Sequence, residues 1–174
     1  MKLGVISDIH IDDNPPGVLQ ALAARVRSSP GLGALVLPGD ISSAWRTSLS
    51  ALDLLESACG LPVYFVPGNH DLWNRSNPAE SPELAAAAFA ERPGCLSGKV
   101  VTLGGWNLIG ETGWYDESFA EGRFDLAALE AMSYGGRTWQ DARYTRWRST
   151  MLEKARQYLR GLEDRLTGLD PSRT

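Results

Sequence analysis

Six side chains that can bind a metal ion or transfer a proton stand directly after three short apolar runs of this 174-residue chain. They are Asp8, His10, Asp40, Asn69, His70 and Asp71. Carboxylate, imidazole and amide groups together suit a borderline divalent ion such as Mn²⁺, Zn²⁺ or Fe²⁺ better than Ca²⁺, which prefers oxygen ligands. If folding brings the three clusters to one place, a metal site is the simplest account of them.

The apolar runs that precede these side chains are typical of buried strands. Residues 3–7, 34–37 and 63–66 form the runs, and residues 18–27 and 49–59 between them repeat apolar side chains at helical spacing. Short connections between alternating strands and helices predict parallel strands joined by right-handed crossovers. We therefore expect an α/β fold whose strands end at one edge of a sheet, where such sheets bind their ligands.

The spacing of the donors suggests a role for each cluster. Asp8 and His10 are two positions apart, so in an extended backbone both side chains point to the same side. Asp40 follows the middle run and is the natural candidate to bridge two ions, which at about 3.5–4 Å apart activate a water and clamp the oxygens of a displacement at phosphorus. His70 is a candidate proton donor to the leaving oxygen, with Asp71 as the neighbour that orients its ring.

Structural explanations compete with each of these roles. Asp8 and Asp40 can be helix N-caps after strands, and His70 with Asp71 can be a hydrogen-bonded loop pair. Trp73, Trp114 and Tyr115 can line a substrate pocket, but core or lid packing is the commoner use of such residues. The chain has neither a phosphate-binding glycine loop of the Walker type nor the elbow of a serine hydrolase.

Beyond residue 74 the pattern is less regular. Residues 83–90 predict a short helix, and Gly104-Gly105 between two β-rich runs predicts a hairpin with a two-residue turn. The aromatic, glycine-rich segment 111–136 is expected to form a structured loop with one helix near 126–132. The last predicted helix carries an apolar stripe that we expect to face the core, or alternatively to stay open to a partner: Trp147, Met151, Ala155, Tyr158, Leu162 and Leu166.

The composition is that of an ordinary globular protein, and residues 1–174 predict a single domain. A net charge of −4 gives no basic footprint for nucleic acid. Cys59 and Cys95 lack motif spacing and are expected to be free thiols. No signal peptide or membrane span is visible, so we expect no membrane partner and a cytoplasmic location.

The three clusters resemble the first three motifs of the calcineurin-like metallophosphoesterases. Asp8-Ile9-His10, Gly39-Asp40 and Gly68-Asn69-His70-Asp71 match that family in order, spacing and strand-end context. The resemblance implies an α/β/β/α sandwich with a dinuclear centre of two divalent ions. By the same resemblance, Asp8 and His10 bind the first ion, Asp40 bridges both, Asn69 binds the second, His70 donates a proton or stabilises the transition state, and Asp71 orients His70.

The chain also departs from the family pattern. The family continues with Gly-His and Gly-His-x-His motifs, which supply three more histidine ligands, whereas His10 and His70 are the only histidines here. Ser43 stands where a second Asp often follows the Gly-Asp motif. We therefore expect the N-terminal portion of the family fold, with the sandwich incomplete at its C-terminus and a weak second metal site.

Two hypotheses about function follow from the match and the departure. The first is a metal-dependent phosphoesterase that hydrolyses a small-molecule phosphomonoester or phosphodiester through a metal-bound hydroxide. The second is a catalytically impaired or truncated protein of the same fold that acts as a binding or scaffolding module. An incomplete sandwich is further expected to expose apolar sheet surface, which favours self-association.

Overall fold

A computed structural model describes residues 1–116, 118–120, 122, 127–128 and 131–174. The helix expected near 126–132 lies largely outside the described residues. The strands are β1 (Lys2–Val5), β2 (Leu32–Pro38), β3 (Val63–Val66), β4 (Val100–Leu103), β5 (Trp106–Ile109), β6 (Ser133–Tyr134) and β7 (Arg137–Thr138). The α-helices are α1 (Val18–Arg27), α2 (Trp45–Cys59), α3 (Pro82–Ala90), α4 (Asp141–Tyr144) and α5 (Met151–Leu166), and short 3₁₀ turns occupy His70–Leu72, Ser118–Ala120 and Pro171–Arg173.

The centre of the fold is a parallel three-stranded sheet of order β1-β2-β3. Val5 is in register with Val36, and Pro38 is in register with Val66. Helices α1 and α2 make the two crossovers, as the alternation of strand and helix patterns predicts. The prediction of a parallel α/β sheet is therefore confirmed, and the loops after the three strands emerge at one edge.

The sheet continues past β3 through single bridges. Cys95 bridges Phe65 in parallel, and Ser97 bridges Gly110, which attaches the β4–β5 hairpin to the sheet. The turn of that hairpin is Gly104-Gly105, and both glycines have positive φ angles of 60° and 81°. The predicted two-residue hairpin is thus confirmed, because only a pair of residues tolerant of positive φ fits such a turn.

The core lies between the central sheet and the helices packed on it. Phe65 and Phe89 meet edge to face with ring centroids 5.9 Å apart, and both cysteines are buried free thiols. Helix α2 ends at Gly60, whose φ of 67° is the left-handed conformation that commonly closes a helix. The buried apolar side chains of the core include Leu19, Val26, Leu35, Leu37, Leu52, Leu55 and Leu72.

Strand β1 is exposed, contrary to the prediction of a buried strand over 3–7. Leu3 is 42% and Val5 65% exposed to solvent. The reason is that β1 is the edge strand: it pairs with β2 on one side, and no strand of the described residues pairs with its other side. The apolar run therefore predicts the strand correctly here, but it does not predict that the side chains of the strand are buried.

Helix α5 also packs less closely than its stripe predicts. Met151, Ala155, Tyr158 and Leu162 are half-buried, and Leu166 is exposed. The helix is stabilised locally by a capping box, in which Thr150 accepts from the N–H of Glu153 and the Glu153 carboxylate accepts from the N–H of Thr150. It is a surface helix, and among the described residues no helix is both long and apolar enough to cross a bilayer.

Candidate metal centre

Three of the predicted ligands meet at the sheet edge. One donor atom from each of Asp8, His10 and Asp40 can be chosen so that all three lie within 4.8 Å of one another. Asp8 and His10 come from the loop after β1, and Asp40 from the loop after β2. Asp40, which stands 30 positions after His10 in the sequence, is thus brought close to Asp8 and His10 by the parallel pairing of β1 and β2.

The backbone of all three residues is left-handed. The φ angles are 56° for Asp8, 40° for His10 and 59° for Asp40, a region that residues other than glycine adopt uncommonly and at a cost. Hydrogen bonds between the two loops hold this conformation, because the N–H of Asp8 donates to Gly39 (3.1 Å) and the N–H of His10 donates to Asp40 (3.0 Å). Strained backbone at three donor positions is typical of a functional site.

Two glycines allow the loops after β2 and β3 to touch. A Cβ atom at Gly39 would lie 2.8 Å from both the Cα and the N of Gly68. A Cβ atom at Gly68 would overlap the Asp40 carboxylate and lie 2.7 Å from the Asp40 nitrogen. The Gly-Asp and Gly-Asn-His-Asp motifs therefore need both glycines for steric reasons, quite apart from any contact with a ligand.

Asp71 joins the loops that carry the second and third motifs. Its carboxylate is fully buried and accepts five hydrogen bonds. Burial raises the pKa of Asp71 to about 6, although hydrogen bonds from Ser48 and from the backbone lower it. The five donors are the backbone N–H groups of Asp40, Ile41, Ser42 and Gly68 and the hydroxyl of Ser48, at 2.6 to 3.2 Å.

The partner of His70 differs from the expected one. Both oxygens of Asp71 are occupied by the donors above, and the atom that contacts His70 Nδ1 is the Ser43 hydroxyl, at 3.1 Å. The Ser43 N–H in turn donates to Asp12 Oδ2 (2.9 Å). The reason is geometric: Asp71 follows His70 in a 3₁₀ turn and points into the core. Ser43, which stands where the family often has Asp, orients the imidazole.

Aromatic rings fix the His70 imidazole on two sides. It stacks on the Trp73 indole with ring centroids 3.7 Å apart and 28° between planes. His10 meets it edge to face at 4.6 Å. Burial lowers the pKa of His70, and the nearby Asp40 carboxylate opposes that shift. Burial likewise raises the pKa of Asp40. The backbone N–H of His70, which donates to Asp40 Oδ1 at 3.0 Å, lowers that pKa and so opposes the effect of burial.

Asn69 lies at the same edge but has a partner that the sequence did not predict. Its Nδ2 donates to both oxygens of Asp141, at 2.9 and 3.1 Å. Asp141 is 72 positions away at the start of α4, and no local pattern connects the two. The amide is oriented by this contact, so Oδ1 is the atom of Asn69 that remains for a ligand.

The donor set fits a borderline divalent ion. It combines two carboxylates and an imidazole with a nearby amide oxygen, a mixture of ligands suited to Mn²⁺, Fe²⁺ or Zn²⁺. The Nδ1 atom of His10 is buried without a hydrogen-bond partner among the described residues, and His10 Nε2 lies 3.8 Å from Asp8 Oδ1. Asp8, His10 and Asp40 are therefore the residues of the described chain that would hold such an ion.

The sequence and the site together define a family. The model of the calcineurin-like phosphoesterase family matches residues 1–154, and this chain belongs to that family. The expected resemblance is thereby confirmed over most of the chain.

Similarity to solved and curated proteins agrees with this assignment. The phosphopantetheinyl hydrolase PptH of Mycobacterium tuberculosis superposes with a TM-score of 0.70 at 22% identity, over 97% of this chain and 64% of that one. This likeness confirms the calcineurin-like fold.

Two curated relatives are UDP-2,3-diacylglucosamine hydrolases. The enzyme of Xanthomonas campestris pv. campestris (strain B100) is 33% identical over 99 residues, which cover 51% of this chain and 36% of that protein. The enzyme of Stenotrophomonas maltophilia (strain K279a) is 36% identical over 76 residues, 38% of this chain and 31% of that protein. The chain thus spans about a third of the length of these relatives.

The hydrogen bonds of Asp71 predict a large effect on stability. Replacing Asp71→Asn sets an amide N–H₂ against backbone N–H donors and leaves at least two of them unpaired, which we expect to lower the free energy of unfolding by about 3 kcal/mol or more. Urea denaturation followed by circular dichroism measures the effect. Asp164→Asn, an exposed carboxylate of α5, is the matched control. Equal midpoints for the two variants would show that Asp71 does not secure the loops.

Proposed function

We propose that this protein is a metal-dependent phosphoesterase that hydrolyses a small-molecule phosphomonoester or phosphodiester. The observation that supports it most directly is the cluster of Asp8, His10 and Asp40 within 4.8 Å, on strained backbone at the end of parallel strands. It lies inside the stretch that matches the calcineurin-like phosphoesterases. The ions proposed are Mn²⁺, Fe²⁺ or Zn²⁺, and the proposed location is the cytoplasm.

Bound divalent ions supply a water of lowered pKa and positive charge that stabilises the phosphate in the transition state. Asp8, His10 and Asp40 would hold one ion, and Asp40 together with Asn69 Oδ1 would hold the second. His70 protonates the leaving oxygen or stabilises its charge. Its Nδ1 is engaged by Ser43 and its ring is stacked on Trp73, so Nε2 is the nitrogen available for that role.

Asp71 acts in this scheme through the backbone. By accepting from the N–H groups of Asp40 and Gly68, it fixes the loops that carry the Asp40 and Asn69 ligands. It thus has a positioning role, and direct contact with substrate is left to other groups. This assignment replaces the expected pairing of Asp71 with the His70 ring.

The names of the relatives support a phosphate-bearing substrate. The proteins similar to this chain are named as hydrolases of UDP-2,3-diacylglucosamine and of a phosphopantetheinyl group. Both names contain a phosphate-bearing group, a uridine diphosphate in one and a phosphopantetheinyl group in the other, which supports a substrate that carries phosphate here.

Replacing Asp40 tests the proposed function. We expect Asp40→Asn to lower hydrolysis of 4-nitrophenyl phosphate and bis(4-nitrophenyl) phosphate in added Mn²⁺, Fe²⁺ or Zn²⁺ by on the order of 100-fold, since even groups that only orient metal ligands change activity by about 10–100-fold. Asp164→Asn is the control and retains activity. Metal analysis of the purified proteins accompanies the assay. If wild type holds no transition metal and Asp40→Asn leaves hydrolysis unchanged, the proposal fails.

A second candidate function is a catalytically impaired binding or scaffolding module of the same fold. The observation that favours it is the small number of imidazoles, because His10 and His70 are the only histidines of the chain. Within the described residues, Asp8, His10 and Asp40 are the one group of three such donors that could hold an ion. A second ion would have Asp40 and Asn69 as its ligands.

Metal stoichiometry separates the two candidates. We expect calorimetric titration with Mn²⁺ to show one tight site and a second at least about tenfold weaker, because the second ion lacks imidazole ligands. His10→Ala should abolish the tight site, and Asp164→Asn should leave both unchanged. Two equally tight sites with ordinary turnover would contradict the impaired module.

We also propose that the exposed edge of the sheet promotes self-association. Leu3 and Val5 lie on an edge strand, and unpaired apolar edges recruit further strands. Light scattering over a concentration series should show association of the wild type and a reduced tendency in Val5→Lys, because a lysine at an edge opposes strand pairing. Leu159→Lys, at an exposed site on α5, is the control. A monomer at all concentrations would exclude this proposal.

A further inference from the structure

A pocket adjoins the candidate metal centre. Its volume is about 620 Å³, within the range of sites that enclose small molecules. Asn69 and His70 form the end of the pocket nearest the metal ligands. Most of the remaining wall is aromatic or apolar and comes from segments far apart in the sequence: Trp73, Tyr115, Met132, Tyr134 and Trp139.

The buried carboxylate of Asp141 joins the pocket to the metal ligands. Asp141 is 1% exposed, and no cation of the described residues pairs with it. Neutral donors surround it instead. They are Asn69 Nδ2 at 2.9 and 3.1 Å, Trp73 Nε1 at 2.5 Å, Tyr115 OH at 2.9 Å and Trp139 Nε1 at 2.9 Å.

These hydrogen bonds orient both the Asn69 amide and the aromatic side chains of the pocket. Asn69 is held by its amide nitrogen, which leaves Oδ1 for an ion. Trp73, Tyr115 and Trp139 are held by their polar atoms, and all three residues line the pocket. A buried carboxylate that lost these donors would be costly, so the arrangement is strongly specified.

The aromatic wall is continuous with the catalytic imidazole. Trp73 stacks on His70 on one side and lies 5.1 Å from the Tyr144 ring on another. Tyr115 and Trp139 meet edge to face at 6.2 Å. A flat group bound against this wall would therefore leave an attached phosphate close to His70 and Asn69, which line the same pocket.

We propose that this pocket binds a ring-bearing, apolar substituent of the phosphoester, and that Asp141 is the positioning residue that fixes both the pocket wall and Asn69. The inference rests on the proposed function for the identity of the ligand as a phosphoester. Ring faces and edges favour a planar aromatic group over an alkyl chain, because aromatic pairs gain from stacking as well as from apolar burial. The site therefore discriminates by the non-reacting part of the ester.

Three diesters with a common leaving group test this preference. The methyl, octyl and 2-naphthyl esters of 4-nitrophenyl phosphate all release 4-nitrophenol, so kcat/KM reports the second substituent. We expect the naphthyl ester to exceed both others by about tenfold, the discrimination expected from one stacked ring system. Equal values for all three, or a preference for the octyl ester, would overturn the proposal.

Matched tryptophan variants locate the effect. Trp139 and Trp106 are each 57% exposed, but Trp106 lies in the β4–β5 hairpin and does not line the pocket. Trp139→Ala should bring the naphthyl-to-methyl ratio close to one. Trp106→Ala should leave that ratio at the wild-type value. The same loss in both variants would show that the pocket is not responsible.

Asp141→Asn tests the positioning role. An amide at this position cannot accept from all four partners, so we expect a smaller naphthyl preference together with a lower kcat for the methyl ester and weaker Mn²⁺ binding. Trp139→Ala should change the naphthyl ratio without weakening Mn²⁺ binding. A fold disturbance alone would lower the unfolding midpoint and leave the ester ratio and Mn²⁺ affinity of the folded protein unchanged, which would contradict the assigned role.

A binding measurement separates this inference from the proposed function. The fluorescence of 2-naphthyl phosphate, added to the metal-free protein, should show saturable binding to the wild type and to Trp106→Ala, and about tenfold weaker binding to Trp139→Ala. If 2-naphthyl phosphate binds in this way while no ester is hydrolysed, the pocket assignment is supported and the phosphoesterase proposal is wrong. If the esters are hydrolysed at equal rates and 2-naphthyl phosphate does not bind, the pocket assignment falls and the phosphoesterase proposal stands.

Discussion

The structure depends on one buried carboxylate that accepts hydrogen bonds from the backbone of two loops. Asp71 receives N–H groups from the loop after β2 and from the loop after β3, together with the Ser48 hydroxyl of α2. Backbone donors of this kind would be costly to leave unpaired in the core. Because Asp40 and Asn69 stand on the loops so joined, the position of these two proposed ligands is tied to the folding of the core.

A second buried carboxylate, Asp141, has a similar role beside Asn69. Asp71 secures the loops from within the core, and Asp141 secures the side chains that face the pocket. In both cases the donors are neutral, so the carboxylate charge is stabilised by hydrogen bonds. Asp71 thus holds the loop of the proposed ligand Asp40, and Asp141 holds the side chain of Asn69 and the polar atoms of the aromatic wall.

The sequence predicts the local features of this network and misses its long-range partners. Apolar runs followed by Asp8, Asp40 and Asn69 are enough to predict parallel strands that end at a shared edge. The spacing of apolar residues and the residues that end each run are local features of the sequence. The Asn69–Asp141 and Ser43–His70 contacts depend on how distant loops pack, and no spacing encodes that. The prediction that β1 is buried is wrong for the same reason: the apolar run that includes Val5 predicts a strand, but the burial of its side chains depends on which distant elements pack against it.

The exposed strand has a consequence for the order in which the site loses its structure. Asp8 and His10 follow β1, which pairs along one side only within the described part of the chain, whereas Asp40 follows a strand paired on both sides. Fraying of β1 would separate two donors from the third without melting the core, since partial opening begins where few contacts oppose it. An ion bound by Asp8, His10 and Asp40 would then link the edge strand β1 to the central strand β2. It would stabilise β1 against local opening more than it stabilises the core.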